Sequence, residues 1–291
     1  MTIWNLGSIN ADLVYHVPHL PGPGETLEAR SLSHGLGGKG ANMSVAAARA
    51  AARVVHLGAV GKDGTWMVDR LLEYGVDTRC IRSVGPTSGH AIIAVDDAGE
   101  NLIVIHGGAN RAIEAGALFA DMDGAARGDW FLTQNETSAQ AEAAEIAKSR
   151  GLRVAYAAAP FDAGAARAML PFLDLLVLNA VEAAQLEEAT GQGIDTLGIT
   201  DVVVTLGGRG CRWIAHGADP IEIPALPVTP VDTTGAGDTF TGYLVAGLDR
   251  GLPMEQALTL ATRAAALMVT RAGTADVIPD LKEIEDVAFG P

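Results

Sequence analysis

The chain has 291 residues, 48% of them apolar and 19% charged, with a formal net charge of −15. That length and apolar content support a full α/β core and exclude a disordered chain. The acidic balance repels nucleic-acid backbones and anionic lipid surfaces, and no run approaches the roughly 18 apolar residues of a membrane span, so neither a nucleic-acid nor a membrane partner is expected.

Residues 3–9 predict a first strand. Residues 12–34, punctuated by Pro18, Pro21 and Pro23, predict an extended segment. A glycine cluster, Gly35-Leu36-Gly37-Gly38-Lys39-Gly40, then opens an Ala-rich helix over 41–52. A strand over 54–57 and a helix over 65–74 follow. Residues 90–95 and 101–106 flank a turn at Asp96-Asp97-Ala98-Gly99 and predict a hairpin. Strands over 130–134, 154–158, 175–178 and 202–206 alternate with helices over 138–149, 163–170 and 180–189, and helices over 237–248 and 254–270 complete the series. Alternating β and α units imply a mostly parallel sheet covered by helices on both faces. The strand over 202–206 is apolar almost throughout, as a strand buried on both faces should be. The helix-free stretches, about 12–34 and 88–106, predict a small projecting β-sheet inserted in one α/β domain spanning 1–291.

The most informative segment is Val231-Asp232-Thr233-Thr234-Gly235-Ala236-Gly237-Asp238-Thr239-Phe240. A glycine-rich turn that opens a helix aims several backbone N–H groups at one spot, and the helix dipole adds partial positive charge there. Gly235, Ala236 and Gly237 let an anion approach closely. Asp238 beside such a cradle suits phosphoryl transfer, in which the protein lines up the groups, neutralises charge and accepts the proton of the attacking hydroxyl. Asp is also a common complement to a helix N-terminus, and the residue alone does not separate the two roles. The Gly-Ala-Gly run, which a plain cap does not require, favours chemistry.

The cluster 35–40 matches G-x-G-x-x-G, the dinucleotide fingerprint, with Asp63 downstream. The fingerprint should follow its strand directly, and here a proline-rich segment intervenes, so a nicotinamide oxidoreductase is disfavoured. Lys39 is followed by Gly40 rather than Ser or Thr, which excludes a Walker A loop. Upstream, Asn10 and Asp12 stand two apart on one side of an extended chain, as sugar-hydroxyl partners or as an end-of-strand turn.

Together these segments resemble the ribokinase-like (PfkB-type) carbohydrate kinases. The N-terminal signature is Gly7-Ser8-Ile9-Asn10-Ala11-Asp12, Pro23-Gly24-Glu25-Thr26 and Gly37-Gly38-Lys39-Gly40-Ala41-Asn42. The C-terminal one is Asp232 to Phe240. Between them Gly99-Glu100-Asn101, Gly108-Ala109-Asn110, Gln134-Asn135-Glu136, Asn179-Ala180-Val181-Glu182 and Thr205-Leu206-Gly207-Gly208-Arg209-Gly210 fall in the family's order, covering residues 3–279.

The resemblance implies an ATP-dependent sugar kinase with Asp238 as catalytic base and Gly235, Ala236 and Gly237 as the anion hole. It implies that Asn10, Asp12, Gly38, Lys39, Asn42 and Glu136 line the sugar pocket. Asn179 and Glu182 would act near Mg2+ and the ATP phosphates, Glu182 through water, and Thr205, Gly207 and Gly210 would flank the nucleotide. A K+ ion would be held, largely by backbone oxygens, at Asp232, Thr234, Met268, Arg271 and Gly273. The projecting strands would be a lid over the sugar, paired between two subunits of a homodimer. The sugar-pocket blocks are most similar to the ribose-phosphorylating branch. One departure stands out: where that branch tends to carry Asn-Pro-Ala-Pro, this chain reads Ala157-Ala158-Ala159-Pro160.

Other features call for plainer readings. Cys80 and Cys211 form neither a disulfide framework nor a ligand set, and the seven histidines show no metal spacing. MTIWNLGSINAD lacks the pattern of an export signal, so Asn135-Glu136-Thr137 is no glycosylation acceptor and a cytoplasmic protein is expected. The alternatives are a kinase for another sugar or nucleoside and a silent sugar sensor; loss of Asp238, Gly235 or Gly237 would have marked the sensor, and all are present.

Overall fold

The computed structural model describes residues 1–287. The chain enters the central sheet as β1 (Thr2–Leu6), leaves it as β2 (Asn10–His16) and β3 (Ser31–Gly37), and turns into α1 (Lys39–Arg49). It continues through β4 (Arg53–Val60), α2 (Thr65–Glu73), β5 (Ile81–Ser83), a hairpin of β6 (Gly89–Val95) and β7 (Asn101–His106), and α3 (Ala115–Asp121). Next come β8 (Trp130–Gln134), α4 (Gln140–Ser149), β9 (Arg153–Ala157), α5 (Ala163–Met169), β10 (Leu175–Asn179) and α6 (Ala180–Thr190). Last are β11 (Asp201–Thr205), β12 (Cys211–Ala215), β13 (Ile221–Ile223), α7 (Ala236–Asp249), α8 (Met254–Met268) and α9 (Leu281–Asp286).

The central sheet runs β13-β12-β11-β10-β9-β8-β1-β4-β5 and is parallel except for the antiparallel β12 and β13 at one edge. The separate four-stranded sheet has the order β3-β2-β6-β7. This is the α/β arrangement with a small second sheet that the element pattern predicts. Period-two side-chain alternation divides each central strand between two cores. Ile3, Val54, Leu132 and Val203 face one core with α1, α7 and α8, while Trp4, Leu57, Phe131 and Val204 face the other with α4, α5 and α6. Among the described residues no helix is long and apolar enough to cross a membrane.

Several boundaries differ from the expectation, each for a local reason. The first strand ends at Leu6 rather than residue 9, because Gly7 lies against Gly40 and the chain must bend there to enter the second sheet. The extended segment predicted over 12–34 is two strands, β2 and β3, beginning at Asn10 and ending at Gly37, and the proline-bearing residues between them form a loop. The first helix stops at Arg49 instead of 52, since Ala51 adopts a left-handed φ of 61°. β5, β12, β13, α3 and α9 were not expected: they have three to seven residues, too few for a clear period.

Candidate active site

Asp238 stands in the first turn of α7, whose N-cap is Gly235. Gly235 has a φ of 75°, and a Cβ there would come 2.9 Å from Met268 Cε, so the turn needs glycine for both reasons. The first N–H groups of α7 have no intrahelical acceptor. Ala236 and Gly237 line a cavity of about 360 Å³, and Ala236 N donates to Thr233 O at 3.3 Å. The side chain of Asp238 is 6% exposed and accepts a hydrogen bond from Asn42 Nδ2 at 2.9 Å. Burial raises its pKa to about 6, opposed by Lys39 and by the Asn42 bond.

Three chain segments converge opposite this turn. Gly38 is the N-cap of α1, and Lys39 and Asn42 lie in its first turn. Lys39 donates its backbone N–H to Glu136 Oε2 at 3.1 Å, and Ser8 Oγ donates to the same oxygen. Asn10 opens β2 and its Oδ1 accepts from Asn110 Nδ2 at 2.8 Å. Asp12 packs its carboxylate where a Cβ of Gly37 would stand. Burial, then Glu136 and Asp238, push the Asp12 pKa up to about 7. Asp238 above all, with Glu136 and Glu182, raises the pKa of Lys39. One lysine therefore shares a recess with several carboxylates, which favours its charged form and opposes the rise at Asp238 and Glu182.

The cavity beside the anion turn is lined by Thr205, Gly207, Gly208 and Gly210, by the apolar segment Ala225 to Val228, and by Phe240, Ala265, Ala266 and Val269. Its glycines expose backbone, Thr205, Thr233 and Thr262 add polar positions, and its other walls are apolar, a surface suited to a flat base. Asn179 and Glu182 do not line it. They form the capping box of α6: Asn179 Oδ1 accepts from the backbone of Val181 and Glu182 at 2.9 Å, and Glu182 Oε2 accepts from Asn179 N at 2.8 Å. Burial raises the Glu182 pKa against the pull of Lys39, so this carboxylate is electrostatically part of the recess.

The residues implied for K+ lie on two turns that Asp232 ties together. Its Oδ1 accepts from Thr234 N at 2.9 Å and its Oδ2 from Gly273 N at 3.2 Å. Met268 O accepts from Arg271 N at 3.0 Å. The Arg271 guanidinium points instead to α9, paired with Glu283 at 2.8 Å, so only its backbone is available to a cation.

Sequence reasoning left Asn110 and Ser8 unassigned, although both lie in segments it singled out. Asn110 also donates to Ile9 O, and its Oδ1 accepts from Ile9 N at 3.0 Å. The asparagine of Gly108-Ala109-Asn110 was the available signal. The apolar cavity walls carry none, because such residues are indistinguishable from core.

Comparison with known proteins places this geometry. The model of the pfkB family of carbohydrate kinases matches residues 2–281. The chain is 35% identical to a ribokinase of Haemophilus influenzae, over 97% of this chain and 96% of the relative. Among solved structures, a ribokinase from Thermotoga maritima superposes with a TM-score of 0.87 at 29% identity, covering 98% of each chain. A ribokinase of Arabidopsis thaliana complexed with ribose and ATP gives a TM-score of 0.84 at 28% identity, covering 97% of each.

Proposed function

This chain belongs to the pfkB family of carbohydrate kinases, and from that premise we propose that it transfers the γ-phosphoryl of ATP to a primary hydroxyl of a small sugar, ribose in the first instance. One observation carries the reading: Asp238, buried and with a raised pKa, stands between the polar recess and the anion turn that borders the 360 Å³ cavity. A carboxylate poised near neutral pH accepts a hydroxyl proton efficiently. Asn10, Asp12, Lys39, Asn42 and Glu136 hold the sugar so that one hydroxyl meets Asp238. Among the described residues none donates a hydrogen bond to the Asp12 carboxylate, which leaves its oxygens to sugar hydroxyls. Gly235, Ala236 and Gly237 receive the transferred phosphoryl and balance its charge. Thr205, Gly207 and Gly210 flank the nucleotide.

The residues fit the two cations of this chemistry. Glu182 keeps one carboxylate oxygen outside the capping box, sufficient for a water-mediated Mg2+ contact, with Asn179 beside it. Carbonyls of Thr234, Met268 and Gly273, together with Asp232, offer the hard oxygens that K+ takes. Mg2+ neutralises phosphate charge, and K+ steadies the anion turn. We place the reaction in the cytoplasm, where ATP is held.

The second sheet serves as the lid. Leu32, Ile92, Leu102 and Val104 share one of its faces by register and are 42–55% exposed. Strand β7 is also an unpaired edge. Soluble proteins cover such surfaces, and a second copy of the chain is the occupant we propose. A coupled ADP-release assay across ribose, other sugars and nucleosides, with and without K+, tests the assignment. Ribose-dependent, K+-stimulated release is expected, and release with a nucleoside alone would move the reading to a nucleoside kinase.

A further inference from the structure

The central sheet carries polar residues where its alternation calls for apolar ones. Asn5 of β1 and His56 of β4 are register partners on the face that packs α1 and α7. Their same-face neighbours are Ile3, Val54 and Leu132. Gln134 of β8 and Ser44 of α1 join them, and all four side chains are 0% exposed. Burying such groups costs stability unless each finds its partner.

The hydrogen bonds among them run in one direction. Gly7 O can only accept, so His56 Nε2 donates to it at 3.1 Å. Burial holds His56 neutral, pushing its pKa down to about 4. Its Nδ1 is therefore an acceptor, and Ser44 Oγ donates to it at 2.8 Å. Asn5 Nδ2 donates to both Ser44 Oγ and Gly40 O at 2.8 Å. Gln134 Nε2 donates to Asn5 Oδ1 at 2.8 Å. The ends of the chain grip the Gly7–Gly40 contact, where a Cβ on either residue would lie 2.3–2.4 Å from the other's Cα. From that contact Gly40 N donates to Ser8 Oγ at 3.2 Å, and Ser8 donates to Glu136. Gln134 itself lies two residues before Glu136, and its Oε1 has no hydrogen-bond partner among the described residues, a cost an apolar face would not bear.

We propose that His56 is a positioning residue: through Ser44 and Asn5 it fixes the Gly7–Gly40 contact from which Glu136, Lys39 and Asn10 are set around the sugar. This rests on the sugar-kinase reading and extends it to residues that do not touch substrate. The nucleotide cavity is lined by other segments.

The test compares His56→Leu with His56→Leu/Ser44→Ala by steady-state kinetics and thermal midpoint. The single variant strands a serine and a carbonyl and is expected to lower the midpoint. The double variant removes both sides of the central bond but also the Ser44 acceptor of Asn5 Nδ2, and its midpoint is expected to stay below the wild-type value. Both are expected to raise the sugar KM about 10- to 100-fold, as small misplacements at a reacting centre do, and to leave the ATP KM within about twofold. Should the single variant fail to fold, the double variant decides. A double variant with wild-type sugar KM, or one whose sugar and ATP KM rise together, would overturn the proposal. A wild-type protein that phosphorylates no sugar would instead overturn the kinase reading and this inference with it.

Discussion

The turn that opens α7 and the four-stranded sheet, the proposed lid, are built on opposite terms. The helix behind the turn is embedded: Asp238, Thr239, Phe240, Tyr243 and Leu244 are buried between α1, α8 and the sheet. The four-stranded sheet carries Asn10 and Asp12, the proposed sugar contacts, at the sheltered end of β2, while β7 is exposed along its whole length. A group that must hold a pKa near neutrality needs a fixed, dry environment, and both the first turn of α7 and the sheltered end of β2 supply one. A group that must admit a sugar needs a neighbour able to open, and few buried apolar contacts permit that.

The largest expected effect sharpens this contrast. Asp238→Asn keeps shape and the Asn42 neighbour but removes the base, and turnover is expected to fall by roughly 10²–10⁴. The thermal midpoint should change little, since Asn is acceptable near a helix N-terminus. A folded variant with wild-type turnover would reduce Asp238 to a cap. Next in size, Asp12→Ala on the lid side should raise the sugar KM about 10- to 100-fold, the loss of hydrogen bonds to a charged group, with ATP binding retained. An equal loss of ATP affinity would show that lid and body are not separable.

The pH profile tests the same division. Asp238 and Asp12 have raised pKa values, about 6 and about 7, so each is ionised above its value and protonated below it. The sugar kcat/KM should therefore be highest above neutrality and fall on acidification through pH 7 and then pH 6, with roughly a tenfold loss per unit for each group once protonated. Asp12→Asn should remove the upper inflection and keep the lower one; a profile flat to pH 5 would contradict both. Smallest in its effect on chemistry, Val104→Lys places a charge on the exposed lid face and should convert a dimer to a monomer by light scattering. The body-held residues should stay functional, lowering turnover severalfold at most. A variant with the wild-type mass would remove that face from the interface.

Much of this site is legible without coordinates. Asp238 stands out because Gly235-Ala236-Gly237 precedes it, a run that a plain helix cap does not require. Asn10, Asp12, Lys39 and Asn42 stand out because their spacing survives as short motifs around glycines. Asn110 is visible as a residue but not as a partner of Asn10, since that bond spans 100 positions. Asn5, Ser44 and His56 carry no signal at all: polar residues in a strand or helix are ordinary until the register sets them side by side.

The sequence by itself determined the alternating β and α elements, the presence of a second sheet and the identity of the anion turn, because periodicity and glycine chemistry are local. The tertiary structure alone decided where those elements meet. The β13-to-β5 strand order, the approach of Gly7 to Gly40, the Asn42–Asp238 bond and the raised pKa of Asp238 all require segments distant in sequence to pack in contact. Burial and electrostatic coupling are properties of that packing, and no local pattern encodes them.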